Sequence, residues 1–272
     1  MITFPNAKIN IGLFVTSKRA DGYHNLETLF FPVKQLCDAL EILIHNGEED
    51  QFSTSGLTID GHAQDNLCMK ALQLMRSEHP IPPLKIHLHK KIPFGAGLGG
   101  GSADAAFMLK MLNQLFNINY SDSRLESMAA LLGADCPVFI KNRPVLAKGI
   151  GNEFYPTDIN LKSYWLQVVI PPVHVPTTTA YKHIIPKTPD KPLEELTKTS
   201  PQNWKNLMNN DFETNVFSNY PIVESAKNRF YENGAIYASM SGSGSSVYGL
   251  FVTEPQIAWP QDHTVHTEQI MD

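Results

Sequence analysis

Five of the seven residues from Gly95 to Gly101 are glycine, within the run Pro93-Phe94-Gly95-Ala96-Gly97-Leu98-Gly99-Gly100-Gly101-Ser102-Ala103-Asp104. Glycine loses more backbone freedom on folding than any other residue. A turn into a helix needs only one or two glycines, so the surplus points to main chain that must approach a ligand closely. The spacing of Ala105, Met108, Leu109, Leu112, Leu115 and Phe116 predicts a helix opened by Ser102. The first N–H groups of a helix have no partner inside it, and its dipole is positive at that end. Glycine-rich backbone leading into such a terminus makes an anion site suited to phosphate.

Two better-known loops fit less well. A Walker A loop places lysine and then Ser or Thr after its glycines, whereas Gly101 directly precedes Ser102 here. The dinucleotide pattern G-x-G-x-x-G is met formally by Gly95, Gly97 and Gly100. It should follow a nearly all-apolar parallel strand near the start of a βαβ unit. Residues 84–90 alternate instead, and the carboxylate at about the right distance, Asp122, lies in a polar helix start. An NAD-dependent enzyme is therefore the weaker alternative.

The formal net charge of -5 gives no general attraction for nucleic acid or an anionic membrane. Cations at a phosphate site must then be local. No stretch approaches the roughly 20 apolar residues of a membrane span. The start, Met1-Ile2-Thr3-Phe4-Pro5-Asn6-Ala7-Lys8, lacks a basic segment followed by an apolar run and reads as the beginning of a folded domain. Cys37, Cys68 and Cys136 are too few and too scattered for a disulfide framework or a thiolate cluster, which fits a reducing cytoplasm. The histidines show no HExxH spacing. His87 and His89 alternate with Ile86 and Leu88 and read as surface groups of a strand.

Along the chain, residues 8–15 alternate, with Ile9, Ile11, Leu13 and Val15 on one side and Lys8, Asn10, Gly12 and Phe14 on a half-polar other. Leu29 to Val33, Ala39 to Ile44 and Leu84 to His89 read as further strands, with a polar turn over Gly47 to Asp50. Asp65 or Asn66 caps a helix beginning near Leu67. Ser123 and Glu126 fit a capping box, with Gly133 in a left-handed C-terminal position. The polar sequence between Gly149 and Trp165 suggests a division into domains 1–155 and 156–272. Leu166 to Ile170 is a strand, residues 184–202 a surface excursion, and Pro221 begins a helix that Asn233-Gly234 ends. Ala235 to Ala238 and Val247 to Val252 are adjacent strands. The mixture of helices with strands outside a βαβ order indicates α+β.

Phosphoryl transfer needs a cation near the developing charge and a group that orients or deprotonates the acceptor. Lys8 reads either as a snorkelling lysine or as that cation. Asp135, in Gly133-Ala134-Asp135-Cys136-Pro137, reads either as an Asx turn or as the base. An ammonium beside a carboxylate favours the ionised carboxylate. Asp104 complements the helix dipole, holds Mg²⁺ or orients Lys8. Ser102 offers its hydroxyl to a phosphate or to Mg²⁺. The run Ser241-Gly242-Ser243-Gly244-Ser245-Ser246 lines a substrate edge or forms a flexible hairpin. In Asp21-Gly22-Tyr23-His24, Tyr23 is able to stack on a base and His24 to pair with its edge.

Four segments together resemble the GHMP kinase superfamily: Ala7-Lys8-Ile9-Asn10 with Lys18 to His24, Pro93 to Ala106, Leu132 to Pro137, and Ser241 to Ser246. Their order and spacing cover nearly the whole chain. Asp-Gly-Tyr-His and the Gly-Ala-Asp loop resemble the members that phosphorylate a cytidine-diphosphate polyol in non-mevalonate isoprenoid synthesis. The resemblance implies an α+β two-domain fold, ribosomal-S5-like at the N-terminus and ferredoxin-like at the C-terminus, with the active site in the cleft between. It implies ATP and Mg²⁺, a small-molecule partner, no nucleic acid or membrane, and a monomer or weak homodimer.

By motif, Asp135 resembles the catalytic base and Lys8 the cation beside it. Pro93, Gly95, Ala96, Gly97, Leu98, Gly99, Gly100, Gly101, Ser102 and Asp104 fall on the ATP side, with Asn66 near the adenine and Ser102 as a metal ligand. Asn10 resembles a substrate-hydroxyl contact, His24 the reader of the cytosine edge, and Tyr23 and Tyr181 the aromatics on its two faces. Ala103 stands where many members carry a second serine, and Cys136 where a small apolar residue is commoner. Other GHMP-type small-molecule kinases, or an inactive nucleotide-binding homologue, are the alternatives.

Overall fold

Period-2 alternation from Leu84 to Lys90 sets the first sheet. Leu84, Ile86, Leu88 and Lys90 are buried, while Lys85 and His89 face outward. A computed structural model describes residues 1–59, 61–182 and 184–271. Its strands run β1 (Ile2–Thr3), β2 (Asn6–Lys18), β3 (His24–Cys37), β4 (Ala39–Ile44), β5 (Gln51–Gly56) and β6 (Leu84–Lys90). They continue with β7 (Val145–Lys148), β8 (Glu153–Tyr155), β9 (Trp165–Ile170), β10 (Tyr237–Met240), β11 (Val247–Phe251) and β12 (Thr264–Gln269). The helices are α1 (Leu67–Arg76), α2 (Gly100–Leu115), α3 (Asp122–Leu132), α4 (Val138–Lys141), α5 (Thr177–Tyr181), α6 (Leu193–Thr197), α7 (Glu213–Asn219) and α8 (Pro221–Glu232).

The chain forms two compact units. The first comprises Met1–Lys8, Pro32–Phe94 and Gly99–Arg143; the second comprises Ile9–Phe31, Gly95–Leu98 and the chain from Pro144 onward. The long strands β2 and β3 carry the chain through both. The units therefore interleave along the sequence and do not coincide with a single cut near residue 155.

In the first unit the sheet order is β1-β4-β6-β5, with β4 antiparallel and β5 parallel to β6. Helix α2 packs against α1, α3 and α4. Asn66 caps α1, its side-chain oxygen accepting from the Cys68 N–H at 2.9 Å. Helix α3 starts earlier than the Ser123–Glu126 box suggests, because the Ser121 hydroxyl already accepts from the Arg124 N–H at 3.3 Å. Gly133 does not take a left-handed cap: its φ of 171° is extended. Strand β5 (QFSTSG) has no apolar alternation to announce it and forms because β6 offers a free edge. His87 lies beneath that strand, with Nδ1 and Nε2 each 2.9 Å from the hydroxyls of Ser53 and Ser55.

In the second unit the order β10-β11-β9-β12 is antiparallel throughout, with β2-β3-β7-β8 as another sheet. Val169, Val223, Phe230, Met240, Val247 and Phe251 share one core. Residues 184–202 are not simply a surface excursion: α6 buries Leu193 and Leu196, and the Leu193 N–H donates to Glu27 at 3.1 Å. Strand β2 differs from the half-polar face expected of it, since Asn6 to Val15 are all buried. Its polar side chains are tolerated because they are partnered; Asn10 Nδ2, for one, donates to the Thr28 hydroxyl at 3.0 Å.

Candidate active site

The first unit gathers Lys8, Asp135 and the opening turn of α2. Lys8 is buried in β2, and its Nζ lies 3.4 Å from Asp135 Oδ2. The two side chains are 4% and 39% exposed, so the carboxylate keeps a solvent-facing side while the ammonium does not. Asp135 follows α3 and the extended Gly133, in the turn before α4. The N-cap of α2 is Gly99, not Ser102, and it is left-handed at φ 70°. A methyl group on Gly99 would sit 3.2 Å from Lys8 Cε and 3.0 Å from Phe139. The capping backbone is therefore laid closely on the lysine stem, in a left-handed conformation that favours a residue without Cβ. Ser102, half-buried in the first helical turn, lies near the Cys136 thiol.

Burial pushes that thiol up to about 11, and burial likewise holds Cys68 well above the ordinary thiol value. Neither is a nucleophile. A thiol reagent at pH 8 should label only Cys37 in the folded protein and all three cysteines after unfolding. Rapid labelling of Cys136 in the folded state, followed by mass spectrometry, would contradict this assignment.

A pocket of the first unit is lined by Asp65, Asn66, Leu67, Phe94, Gly101 and Asp104, among others. Asp104 does not meet Lys8. Its Oδ2 accepts from Lys90 Nζ at 2.7 Å, and Lys90 also pairs with Asp38. Burial pushes the Asp104 carboxyl up to about 7 against the pull of Lys90. Its Oδ1 has no hydrogen-bond partner among the described residues. Neither Lys90 nor Asp38 stands out in the sequence. The signal for Lys90 is phase: it continues the inward register of Leu84, Ile86 and Leu88.

The second unit carries the remaining residues. Gly97 is left-handed at φ 77°, and a methyl group there would collide with the Ser241 carbonyl oxygen. The Ser241 hydroxyl donates to the Gly97 carbonyl at 2.8 Å, and the Ser246 N–H donates to the Ala96 carbonyl at 3.1 Å. The second glycine–serine loop is thus a brace for residues 95–97 and not a flexible hairpin. It also touches Asn10, whose N–H donates to Ser241 Oγ at 3.3 Å. The rings of His24 and Tyr181 lie 5.1 Å apart at 32°, and Tyr181 packs edge-on to Phe212 at 4.6 Å. Tyr23 is 64% exposed.

A hard cation such as Mg²⁺ takes oxygen donors and keeps several waters, completing its shell with phosphates. The Ser102 hydroxyl, at the opening turn of α2 beside Gly99 to Gly101, fits that donor chemistry. No group of three His, Cys, Asp or Glu side chains able to hold a metal occurs among the described residues.

The ion pair at the glycine-capped helix, together with the α+β architecture of both units, defines a kinase of the GHMP type. The family models for the N-terminal and C-terminal domains of GHMP kinases match residues 66–143 and 192–261. More narrowly, the chain belongs to the family of the 4-diphosphocytidyl-2-C-methyl-D-erythritol kinases. It is 56% identical over 259 residues to the enzyme of that name from Bacteroides fragilis, covering 94% of each chain. It is 51% identical over 251 residues to that from Parabacteroides distasonis, covering 92% of each. A crystal structure of 4-(cytidine 5'-diphospho)-2C-methyl-D-erythritol kinase superposes with a TM-score of 0.76 at 33% identity, covering 92% of this chain and 90% of the other. The Methanococcus jannaschii mevalonate kinase, at 14% identity and a TM-score of 0.73 over 100% of this chain and 98% of its own, shares the fold.

Proposed function

We infer that the protein transfers the γ-phosphate of ATP to the 2-hydroxyl of 4-diphosphocytidyl-2-C-methyl-D-erythritol, giving the 2-phosphate and ADP for isoprenoid precursor synthesis. The observation that carries this is the Lys8–Asp135 pair beside the Gly99 cap of α2. Gly95 to Ser102 offer backbone N–H groups to the phosphates, and the α2 dipole favours their charge. The pocket beside Asn66 and Phe94 is the place for the adenine. Asp135 takes the acceptor proton on its solvent-facing side, and the Lys8 ammonium balances the charge that develops there. Ser102 would hold Mg²⁺, which when bound supplies charge neutralisation at the phosphates. Asn10 positions a polyol hydroxyl. His24 reads the cytosine edge, with Tyr181 and Tyr23 on its faces.

Purified protein with ATP, Mg²⁺ and the diphosphocytidyl substrate should release ADP in proportion to substrate. Brisk turnover of mevalonate or homoserine instead would move the protein elsewhere among the GHMP kinases. ATP binding without transfer to any polyol would mark an inactive homologue.

Tyr181→Ala removes a ring packed against His24 and Phe212. It should raise KM for the cytidine substrate by about three- to tenfold, the worth of one aromatic stack, and leave KM for ATP unchanged. Tyr181→Phe should retain wild-type KM. Steady-state kinetics with each substrate varied separates these outcomes.

A further inference from the structure

The glycine-rich turn that receives phosphate needs something to hold it still, because glycine contributes no side chain to pack. At the start of α2 no side chain caps the helix. A buried triad stands behind it. Lys90, at the inner end of β6, is fully enclosed and pairs with Asp104, one turn into α2, and with Asp38, between β3 and β4. Asp38 Oδ1 also accepts from the Lys91 and Ile92 N–H groups at 2.6 and 2.8 Å, which ends β6 and turns the chain toward the glycine run. Gly100 rests on this assembly: a methyl group there would lie 2.9 Å from Lys90 Nζ and 2.8 Å from Ile92 Cγ2.

We propose that Lys90 is a positioning residue for phosphoryl transfer: the Asp38–Lys90–Asp104 triad fixes the first turn of α2 to residues 90–92 before nucleotide arrives. This rests on the assignment of that turn to ATP phosphate. Lys90 itself is sealed from solvent and does not touch phosphate; it acts through Gly100 and Asp104. Burial alone would lower the Lys90 ammonium, but Asp104 and Asp38 raise it above the ordinary lysine value, so it stays charged. Well-packed apolar residues stabilise a protein as well as a buried ion triad does. What the triad adds is direction: three segments are held at fixed angles by charge-assisted hydrogen bonds. A turn ordered in advance spares ATP the entropy of ordering it.

The test is Asp38→Asn/Lys90→Met/Asp104→Asn, a neutral triad of similar volume that leaves no unpaired buried charge. Two quantities are read in the full-length protein: ATP affinity by calorimetry, and hydrogen exchange of the Ala103 to Ala106 amides without nucleotide. Exchange should quicken by at least about tenfold as the turn loosens. The ATP Kd should rise by about tenfold or more as preorganisation is lost, with KM for the cytidine substrate within twofold (about the scatter of such measurements). A lower Tm with unchanged exchange and unchanged ATP Kd makes the triad structural only and overturns the proposal. Should the triple variant fail to fold, Asp38→Asn alone decides, since the amide oxygen still accepts from both backbone N–H groups while the acceptor facing Lys90 is replaced by an amide NH2 that removes both the charge and the hydrogen bond. Wild-type exchange and ATP Kd in that variant also overturn it. Faster exchange in a protein whose wild type binds no ATP would instead remove the kinase assignment while leaving the pinning intact.

Discussion

Asp135→Asn is expected to lower kcat by about three orders of magnitude, within the range typical of a lost general base, while ATP binds with nearly wild-type affinity. The asparagine keeps the volume of the side chain and an oxygen within reach of Lys8, which lies 3.4 Å from the aspartate. It loses the ability to take a proton from the acceptor hydroxyl. A thousandfold loss corresponds to about 4 kcal/mol of transition-state stabilisation. Lys8 is buried and loses this charged partner, but the carboxylate side is 39% exposed and the asparagine oxygen remains, so Tm should fall by only a few degrees. The split is diagnostic: a binding residue would raise KM, and a structural one would lower Tm by more. A kcat within tenfold of wild type, measured by ADP release at saturating substrates, would remove Asp135 from the proton-transfer step and leave Lys8 and positioning to account for the rate.

Gly97→Ala is expected to have the second-largest effect, on both folding and nucleotide binding. The left-handed φ of 77° alone costs an alanine about 1–2 kcal/mol. The new methyl group would also meet the Ser241 carbonyl oxygen, and that backbone is itself held by the hydrogen bonds joining the two loops. Neither side is a flexible side chain end that swings away. Tm should fall by about 5 °C or more, and the ATP Kd should rise by about tenfold, because the loop must open to admit the methyl group. Gly101→Ala is the contrast for stability. Gly101 is helical, and its nearest neighbour would be Phe94 at 3.6 Å, an ordinary contact. Alanine there should leave Tm unchanged or raise it, since it favours helix over glycine. Equal Tm for Gly97→Ala and wild type in a thermal melt would refute the bracing role of Ser241.

Much of the site is legible as chemistry types at sequence spacings. The glycine run reads as an anion site because a turn into a helix needs only one or two glycines, while Gly97, Gly99 and Gly100 also answer to close contacts within the protein that no local pattern shows; Asn66 announces a helix start because its side chain matches an orphan N–H. Register signals less clearly. The alternation of β6 identifies Leu84, Ile86 and Leu88 as inward but does not by itself extend to Lys90, because a lysine is normally a surface residue. Strand β5 is not legible, because it has no hydrophobic pattern of its own and is created by its neighbour. The caps of α2 and α3 shift by three and two residues, from Ser102 to Gly99 and from Ser123 to Ser121, since competing Ser and Gly candidates stand within one turn of each other and only the local geometry chooses among them.

The sequence by itself determined the kinds of group available: a glycine-rich backbone leading into a helix, a lysine in an alternating strand, an aspartate in a tight loop, and aromatics able to stack on a base. Those follow from local chemistry and from periodicity, which are properties of neighbours along the chain. Only the tertiary structure decided which of these meet. It paired Lys8 with Asp135, which are distant in sequence, and gave Asp104 to Lys90 instead. It also set the Ser241 loop under Gly97 as a brace. The physical reason is that a buried charge must find its partner through space, and the partner is chosen by how strands and helices pack, which no local pattern encodes.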